Sequence, residues 1–256
     1  MQRPTPDPLK HQLALYRSLG FGFLEGIETA EAAESPADEP GVDLFDHEAA
    51  PSADHGPALV HGEGMPLAER RDALDRLAAE RIAACTMCRL CHSRTQTVPG
   101  EGNPAAELAI VGEGPGANED ATGRPFVGRA GELLDKIIAA MKFQREDVFI
   151  GNVVKCRPPS NRQPEPDEMA MCLPYLEEQL AIVRPRVIVT LGKTALVGLM
   201  PEHARLSMTR ARGTWMEWRG IPVMPTYHPA YLLRDPRKKR VVWEDMQKVM
   251  DVFGKR

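Results

Sequence analysis

Leu108-Ala109-Ile110-Val111-Gly112-Glu113-Gly114-Pro115-Gly116 reads as a short apolar strand that runs directly into a tight loop. Four apolar residues in a row, closed by glycine, suit a short strand. The loop glycines permit positive φ and let a ligand approach the backbone closely. The spacing is not G-x-G-x-x-G, and no Gly-Lys-Ser/Thr follows, so neither a dinucleotide fingerprint nor a P-loop is present here. Outward from this stretch, Val148 to Val154 reads as a second strand and Arg186 to Leu191 as a strand of the fully buried type. Thr214 to Arg219 and Pro222 to Thr226 read as two strands joined at Gly220. Helical patterns fall between them. Pro66 to Ala84 places Leu67, Ala68, Leu74, Leu77, Ala78 and Ile82 on one face. Gly131 to Met141, Asp167 to Val183 (capped by Asp167), Gly192 to Met200 and Val241 to Phe253 follow. Strands alternating with helices predict a parallel sheet inside a three-layer α/β/α domain, where ligands bind at the strand-end loops.

The chain has 256 residues and a formal net charge of −4, which conceals an asymmetry. Residues 1–69 carry 13 Asp/Glu against 3 Lys/Arg, a net of −10; residues 70–256 carry 23 against 29, a net of +6. No Lys or Arg occurs between Ser18 and Glu69. Such a stretch cannot bury much apolar surface, so residues 26–64 are expected to be a disordered linker. A short helix is predicted over Leu9 to Leu24, carried by Leu13, Leu15, Tyr16 and Leu19. The expected organisation is an acidic extension over 1–65 and a catalytic domain over 66–256. The extension is a candidate contact for another protein. A basic domain suits a polyanionic partner, although charge alone does not establish one. No apolar run reaches the roughly 18 residues of a membrane span, and the N-terminus lacks a signal-peptide pattern. A cytoplasmic, reducing location is therefore expected.

Four of the five cysteines punctuate the predicted domain. Cys85 and Cys88 form a C-x2-C pair, Cys156 precedes Arg157-Pro158-Pro159, and Cys172 lies fifteen residues further on. Thiolates suit zinc or an iron–sulfur cluster. Zinc modules draw their cysteines from a compact stretch, whereas a set spread this widely suits a cluster tying loops of a larger domain together. The spacing leaves both open. Cys91 is a surplus thiol.

Two loops carry candidate chemistry. Glu119 and Asp120 follow the glycine loop, where a carboxylate can orient a water or cap a helix. His228-Pro229 follows the last strand, where an imidazole can donate to a developing anion. Leu232-Leu233 sits beside Arg234, Arg237, Lys238, Lys239 and Arg240. Paired leucines on a basic loop suit a DNA wedge, and equally a core contact beside a solvated helix start.

Taken together, these motifs resemble the family 4 (iron–sulfur) uracil-DNA glycosylases over roughly residues 80–250. The matching stretches are Cys85-Thr86-Met87-Cys88-Arg89-Leu90, Gly112 to Asp120, Gly123-Arg124-Pro125-Phe126-Val127-Gly128, Gly151 to Pro164, and His228 to Arg234. The resemblance implies a central, mainly parallel four-stranded sheet and a 4Fe–4S cluster on Cys85, Cys88, Cys156 and Cys172. It further implies a monomeric repair enzyme acting on uracil-containing DNA, single- or double-stranded, that flips the base into a pocket. Phe126 would stack on the base and Asn152 would read its Watson–Crick edge. The backbone around Glu113 and Gly114 would close the pocket, with Glu113 blocking the thymine methyl. His228 would hold the uracil O2. Glu119 would position water, with Asp120 as the competing candidate. Asn161 matches a pocket or water-positioning residue, and Leu232 or Leu233 would be the wedge. A related branch captures DNA covalently through a histidine in a Lys-Arg-Arg-Ile-His insertion; no histidine occupies that place here, so turnover is expected. A non-catalytic DNA-binding module, or a glycosylase for another base such as hypoxanthine, are the alternatives.

Overall fold

The structure, a computed structural model, describes residues 64–255. The helix expected over Leu9 to Leu24 and nearly all of the expected linker lie outside the described residues. Helix α1 covers Leu67–Arg76 and continues as a π-helical turn, Leu77–Ile82, before the cysteine loop. The chain then passes through β1 (Glu101–Gly102), β2 (Leu108–Gly112), α2 (Ala117–Thr122), α3 (Arg129–Ala140) and β3 (Phe149–Asn152). It continues with α4 (Pro166–Val183), β4 (Val187–Leu191), α5 (Lys193–Leu199) and α6 (Met208–Ala211). The last elements are β5 (Met216–Trp218), β6 (Ile221–Thr226), α7 (Pro229–Arg234) and α8 (Lys239–Val252).

The sheet order is β1-β3-β2-β4-β6-β5. The central four strands, β3-β2-β4-β6, are mutually parallel, and β1 and β5 add antiparallel edges. The sheet therefore has six strands rather than the expected four. The β5–β6 pair was legible as strands. β1 was not, because two residues of Glu-Gly carry no apolar pattern to read.

Alternation along the parallel strands divides the core into two layers. Ala109, Val111, Phe149, Ile188 and Val223 face one side and meet Leu173, Leu176, Leu180, Leu196 and Leu199 of α4 and α5. Leu108, Ile110, Ile150, Val187, Val189 and Met224 face the other and meet Leu134, Ile138, Leu232, Val242, Met246 and Val249 of α3, α7 and α8. Each side chain so buried contributes roughly 1.5–3 kcal/mol, and period-two alternation makes the two layers possible. With β2, β3 and β4 buried throughout, a loop that leaves one of these strand ends can be polar only outside the sheet edge. That places the functional loops at one end of the sheet.

Two local expectations are corrected. In α1 no residue is buried and Leu67 is 53% exposed; Leu77 and Ile82 are buried in the π turn that follows. The five-residue spacing of Leu77 and Ile82 fits the π turn, in which the Ala83 N–H donates to the Ala78 carbonyl. Helix α4 is capped at Glu165, not Asp167: Glu168 reaches back to accept the Glu165 N–H at 2.8 Å. Arg162 and Arg89 both pair with the fully buried Glu168, which pins the start of α4 to the cysteine loop. Among the described residues, no helix is long and apolar enough to cross a membrane.

Candidate active site

The loops leaving β2, β3, β4 and β6 enclose a cleft of about 580 Å³ at the carboxyl ends of the parallel strands. Its lining includes Glu113, Gly114, Glu119, Phe126, Asn152, Asn161 and His228. Seven residues separated by up to 115 positions in sequence are thus brought to one wall, as the strand-end rule for open α/β sheets requires.

Asn152 ends β3 and is 1% exposed. Its side-chain oxygen is buried and has no hydrogen-bond partner among the described residues. A buried acceptor without a donor costs about 1–3 kcal/mol, so a group aimed into a cleft in this state calls for a ligand N–H. Gly112 leaves room for it: a Cβ there would overlap the Asn152 amide oxygen and the Phe126 ring.

Phe126 is buried and adopts φ 51°, a left-handed conformation that is uncommon for a bulky residue. It persists because the surroundings impose it. Glu119 does part of this. One carboxylate oxygen accepts the Val127 and Gly128 N–H groups at 2.9 and 3.0 Å, and the other accepts the Gly116 N–H at 3.1 Å. Glu119 is therefore both a charge in the cleft and the staple of the turn carrying Phe126. The Phe126 and His228 rings lie 5.6 Å apart at 29°, which makes a continuous aromatic wall.

His228 caps α7: its Nδ1 accepts the Ala230 N–H at 3.1 Å. An accepting Nδ1 leaves the proton of the neutral ring on Nε2. Burial, aided by the nearby Arg234, pushes the imidazole pKa down to about 4. The ring is therefore neutral at ordinary pH and is a donor through Nε2. Glu113 carries a carboxyl raised above the usual range by burial, an effect that a hydrogen bond with Thr194 opposes.

Two sequence-derived candidates, Asp120 and Leu232, sit elsewhere than expected, while Asn161 lines the cleft. Asp120 is 2% exposed, accepts the Thr95 N–H at 2.9 Å and does not line the cleft. One residue further along α2 than Glu119, it is turned about 100° away around the helix axis. Leu232 is 1% exposed and packs within the α3/α8 layer, whereas Leu233 is 38% exposed. The wedge candidate is thus Leu233 alone. Asn161 lies exposed at the cleft mouth, with its amide oxygen accepting from Arg157 at 2.8 Å. Lys193, Thr194, Arg162 and Gln163 also line the cleft and were not singled out from sequence. Gly192-Lys193-Thr194 leaves a buried strand just as the glycine loop does. The strand-end rule applied to β4 points to it as directly.

A second cavity is lined by Cys85, Cys88, Cys156 and Cys172, together with Cys91 and the apolar Ile82, Leu90 and Tyr175. Among the described residues, no three His, Cys, Asp or Glu side chains are placed to hold a single metal ion. The thiols instead stand around a shared space, which fits a polynuclear cluster with a ligand at each corner better than one zinc, whose sulfurs must all meet a single centre. Hydrogen bonds reach two of the sulfurs: Arg94 donates to Cys156 and the Lys155 backbone N–H donates to Cys172, each at 3.2 Å. Burial pushes the Cys88 thiol up to about 11 and that of Cys172 up to about 12. Such sulfurs ionise against bound metal rather than alone.

Comparison with known proteins agrees with this geometry. Residues 99–247 match the family described as the uracil DNA glycosylase superfamily. The Type-4 uracil-DNA glycosylase of Thermotoga maritima is 47% identical over 188 residues, covering 72% of this chain and 97% of its relative. That of Sulfurisphaera tokodaii is 45% identical over 189 residues, covering 71% and 85%. A Type-5 uracil-DNA glycosylase of Pyrobaculum aerophilum is 32% identical over 150 residues, covering 53% and 66%. The chain belongs to the uracil-DNA glycosylase superfamily, and within it to the type-4 enzymes.

Proposed function

We propose that this protein excises uracil from DNA by hydrolysing the N-glycosidic bond, releasing the free base and leaving an abasic site. The observation that carries the reading is the buried, unpartnered Asn152 oxygen facing a cleft walled by Phe126 and His228. Uracil presents N3–H as a donor beside O4 as an acceptor. The Asn152 amide offers an acceptor and a donor in the complementary order, which cytosine does not match. The base must leave the stack to reach this depth. Leu233, exposed beside Arg234, fills the space it vacates.

In the pocket, Phe126 stacks on the flipped base, and Glu113 with the Gly114 backbone closes the side that a thymine methyl would need. The C1′–N1 bond breaks with its electron pair moving onto the base. The Nε2–H of neutral His228 donates to uracil O2, where that charge collects. The fixed carboxylate of Glu119 stabilises the cationic sugar and holds the water that adds to C1′. The added water releases one proton and the uracil anion takes one up. Asn161, at the mouth, guides water or the flanking strand.

Cys85, Cys88, Cys156 and Cys172 would hold a 4Fe–4S cluster, and base hydrolysis moves no electrons through it. When bound, such a cluster supplies four metal–thiolate cross-links between distant loops. The proposal extends to a monomer acting in the cytoplasm, with a catalytic unit over 66–256 and an acidic extension over 1–65 that contacts another protein.

The test is release of free uracil from uracil-containing oligonucleotides. Asn152→Ala is expected to lower kcat/KM by at least about a hundredfold, since the site then loses a donor–acceptor pair for the base edge. Wild-type protein that releases no uracil overturns the reading.

A further inference from the structure

Lys155 stands between the two sites. It follows Asn152 by three residues and precedes Cys156, and its side chain is wholly buried, at 1% exposure. A buried ammonium is unfavourable unless its donors are satisfied and negative charge lies near. Two donors are satisfied. Nζ donates to the Asn152 backbone carbonyl at 2.9 Å and to Gln179 Oε1 at 2.7 Å. Gln179 is itself oriented, because its amide N–H donates to the Pro99 carbonyl at 2.8 Å. Both acceptors of the ammonium are neutral.

The other contacts of the residue lead to the thiols. Lys155 lines the cysteine cavity, and its backbone N–H donates to Cys172 Sγ at 3.2 Å. Its carbonyl accepts the Val98 N–H at 2.8 Å, which ties in the loop that leads away from Cys91 and Arg94. Arg94 supplies positive charge to Cys156 from the more exposed side. A packing role alone would be met by Met or Leu with no charge to bury. The lysine instead supplies two directional hydrogen bonds, one to the end of β3 and one to Gln179 of α4, the helix that also carries Cys172.

We propose that Lys155 is a positioning residue that couples the two sites: its ammonium ties the Asn152 carbonyl to Gln179 of α4, the helix that carries Cys172, and its backbone N–H holds the Cys172 sulfur. The end of β3, and with it the aim of the Asn152 amide, then depends on the occupied cysteine site. This rests on the pocket reading above. It gives the cluster a structural influence on base recognition without electron transfer.

The test compares wild type, Lys155→Met, Asn152→Ala and the double variant on uracil-containing oligonucleotides, with iron and sulfide measured per chain. In K155M, iron per chain is expected to fall to about half or less. Corrected for iron content, kcat falls at least about tenfold while KM moves less than about threefold. In the N152A background, K155M changes kcat by less than about twofold, because the residue acts through Asn152. Full iron content with wild-type kcat overturns the proposal, as does an equal loss of kcat in both backgrounds. Should K155M fail to fold, Gln179→Met keeps the ammonium and removes one acceptor. It is expected to lower kcat at least about threefold in the wild-type background only, and wild-type kcat in that variant overturns the proposal. N152A at wild-type activity overturns the pocket reading itself; K155M at wild-type activity with N152A crippled overturns the coupling alone.

Discussion

At the scale of single residues, the site works by withholding ordinary partners. Asn152 has a side-chain oxygen with no donor, and His228 is a buried imidazole that stays neutral. The histidine yields a pH prediction with a definite sign. Its folded pKa, about 4, lies below the ordinary 6.5, so the unfolded chain binds the extra proton between those values. The stability this residue contributes is complete above pH 6.5 and is lost progressively as pH falls toward 4. Single-turnover uracil release is expected to stay level through pH 6.5 and to decline only near pH 4. An acid limb centred at 6.5 would show that an exposed, ordinary imidazole does the work. The adjacent acids separate in the same way. Glu119→Gln replaces one acceptor with an NH2 facing a backbone N–H and is expected to lower kcat at least about a hundredfold. Asp120→Asn keeps the acceptor for Thr95 and is expected to leave kcat within about threefold. Comparable losses in the two variants would return Asp120 to the chemistry.

At the scale of elements, α7 shows how one turn of helix divides two identical side chains. Leu232 enters the layer formed with α3 and α8, and Leu233 projects outward beside Arg234. Leu232→Ala is expected to cost about 2–5 kcal/mol, read as a lower Tm, because it opens a cavity in a packed layer. Leu233→Ala is expected to leave Tm within about 2 °C and to slow excision from duplex DNA more than from single strands, where no stack must be opened. Equal slowing on both substrates removes the wedge role. The capping of α4 carries a related lesson. Asp167 and Glu165 are both plausible caps by residue type, and the choice fell to Glu165 because Arg89 and Arg162 draw Glu168 inward.

At the scale of the whole molecule, the cysteine cavity joins segments that are far apart in sequence: the loop after α1, the segment after β3, and α4. Removing iron with a chelator after reduction is expected to lower Tm by at least about 5 °C, since a ligand that binds only the native state contributes directly to folding. Melting curves that are unchanged after iron loss would show that the cavity closes well enough without it. The acidic residues 1–69 and the basic remainder make a second global prediction. A chain starting at Pro66 is expected to show a steeper salt dependence of DNA binding than the full chain, and equal slopes exclude competition by the extension.

The alternation of buried strands with helices was legible because a parallel sheet covered on both faces demands unbroken apolar runs such as Leu108–Val111 and Val187–Leu191. Residue order also brought out Glu119 and His228 as candidates, since each lies in or beside a loop leaving a strand, whereas Asn152 and Phe126 were implied by the family resemblance. What one dimension could not settle was direction. Glu119 against Asp120, and Leu232 against Leu233, are neighbours of like chemistry. Only helix phase and the packing of the surrounding layers determine which one meets the cleft or solvent. Lys193 and Thr194 entered the cleft, and Lys155 came to lie between the thiols and Asn152, because the sheet order sets β2, β3 and β4 side by side. Local pattern therefore determined the elements and their chemistry. Tertiary packing decided which side chain of each pair faces the cleft or solvent, because burial and charge pairing act through space rather than along the chain.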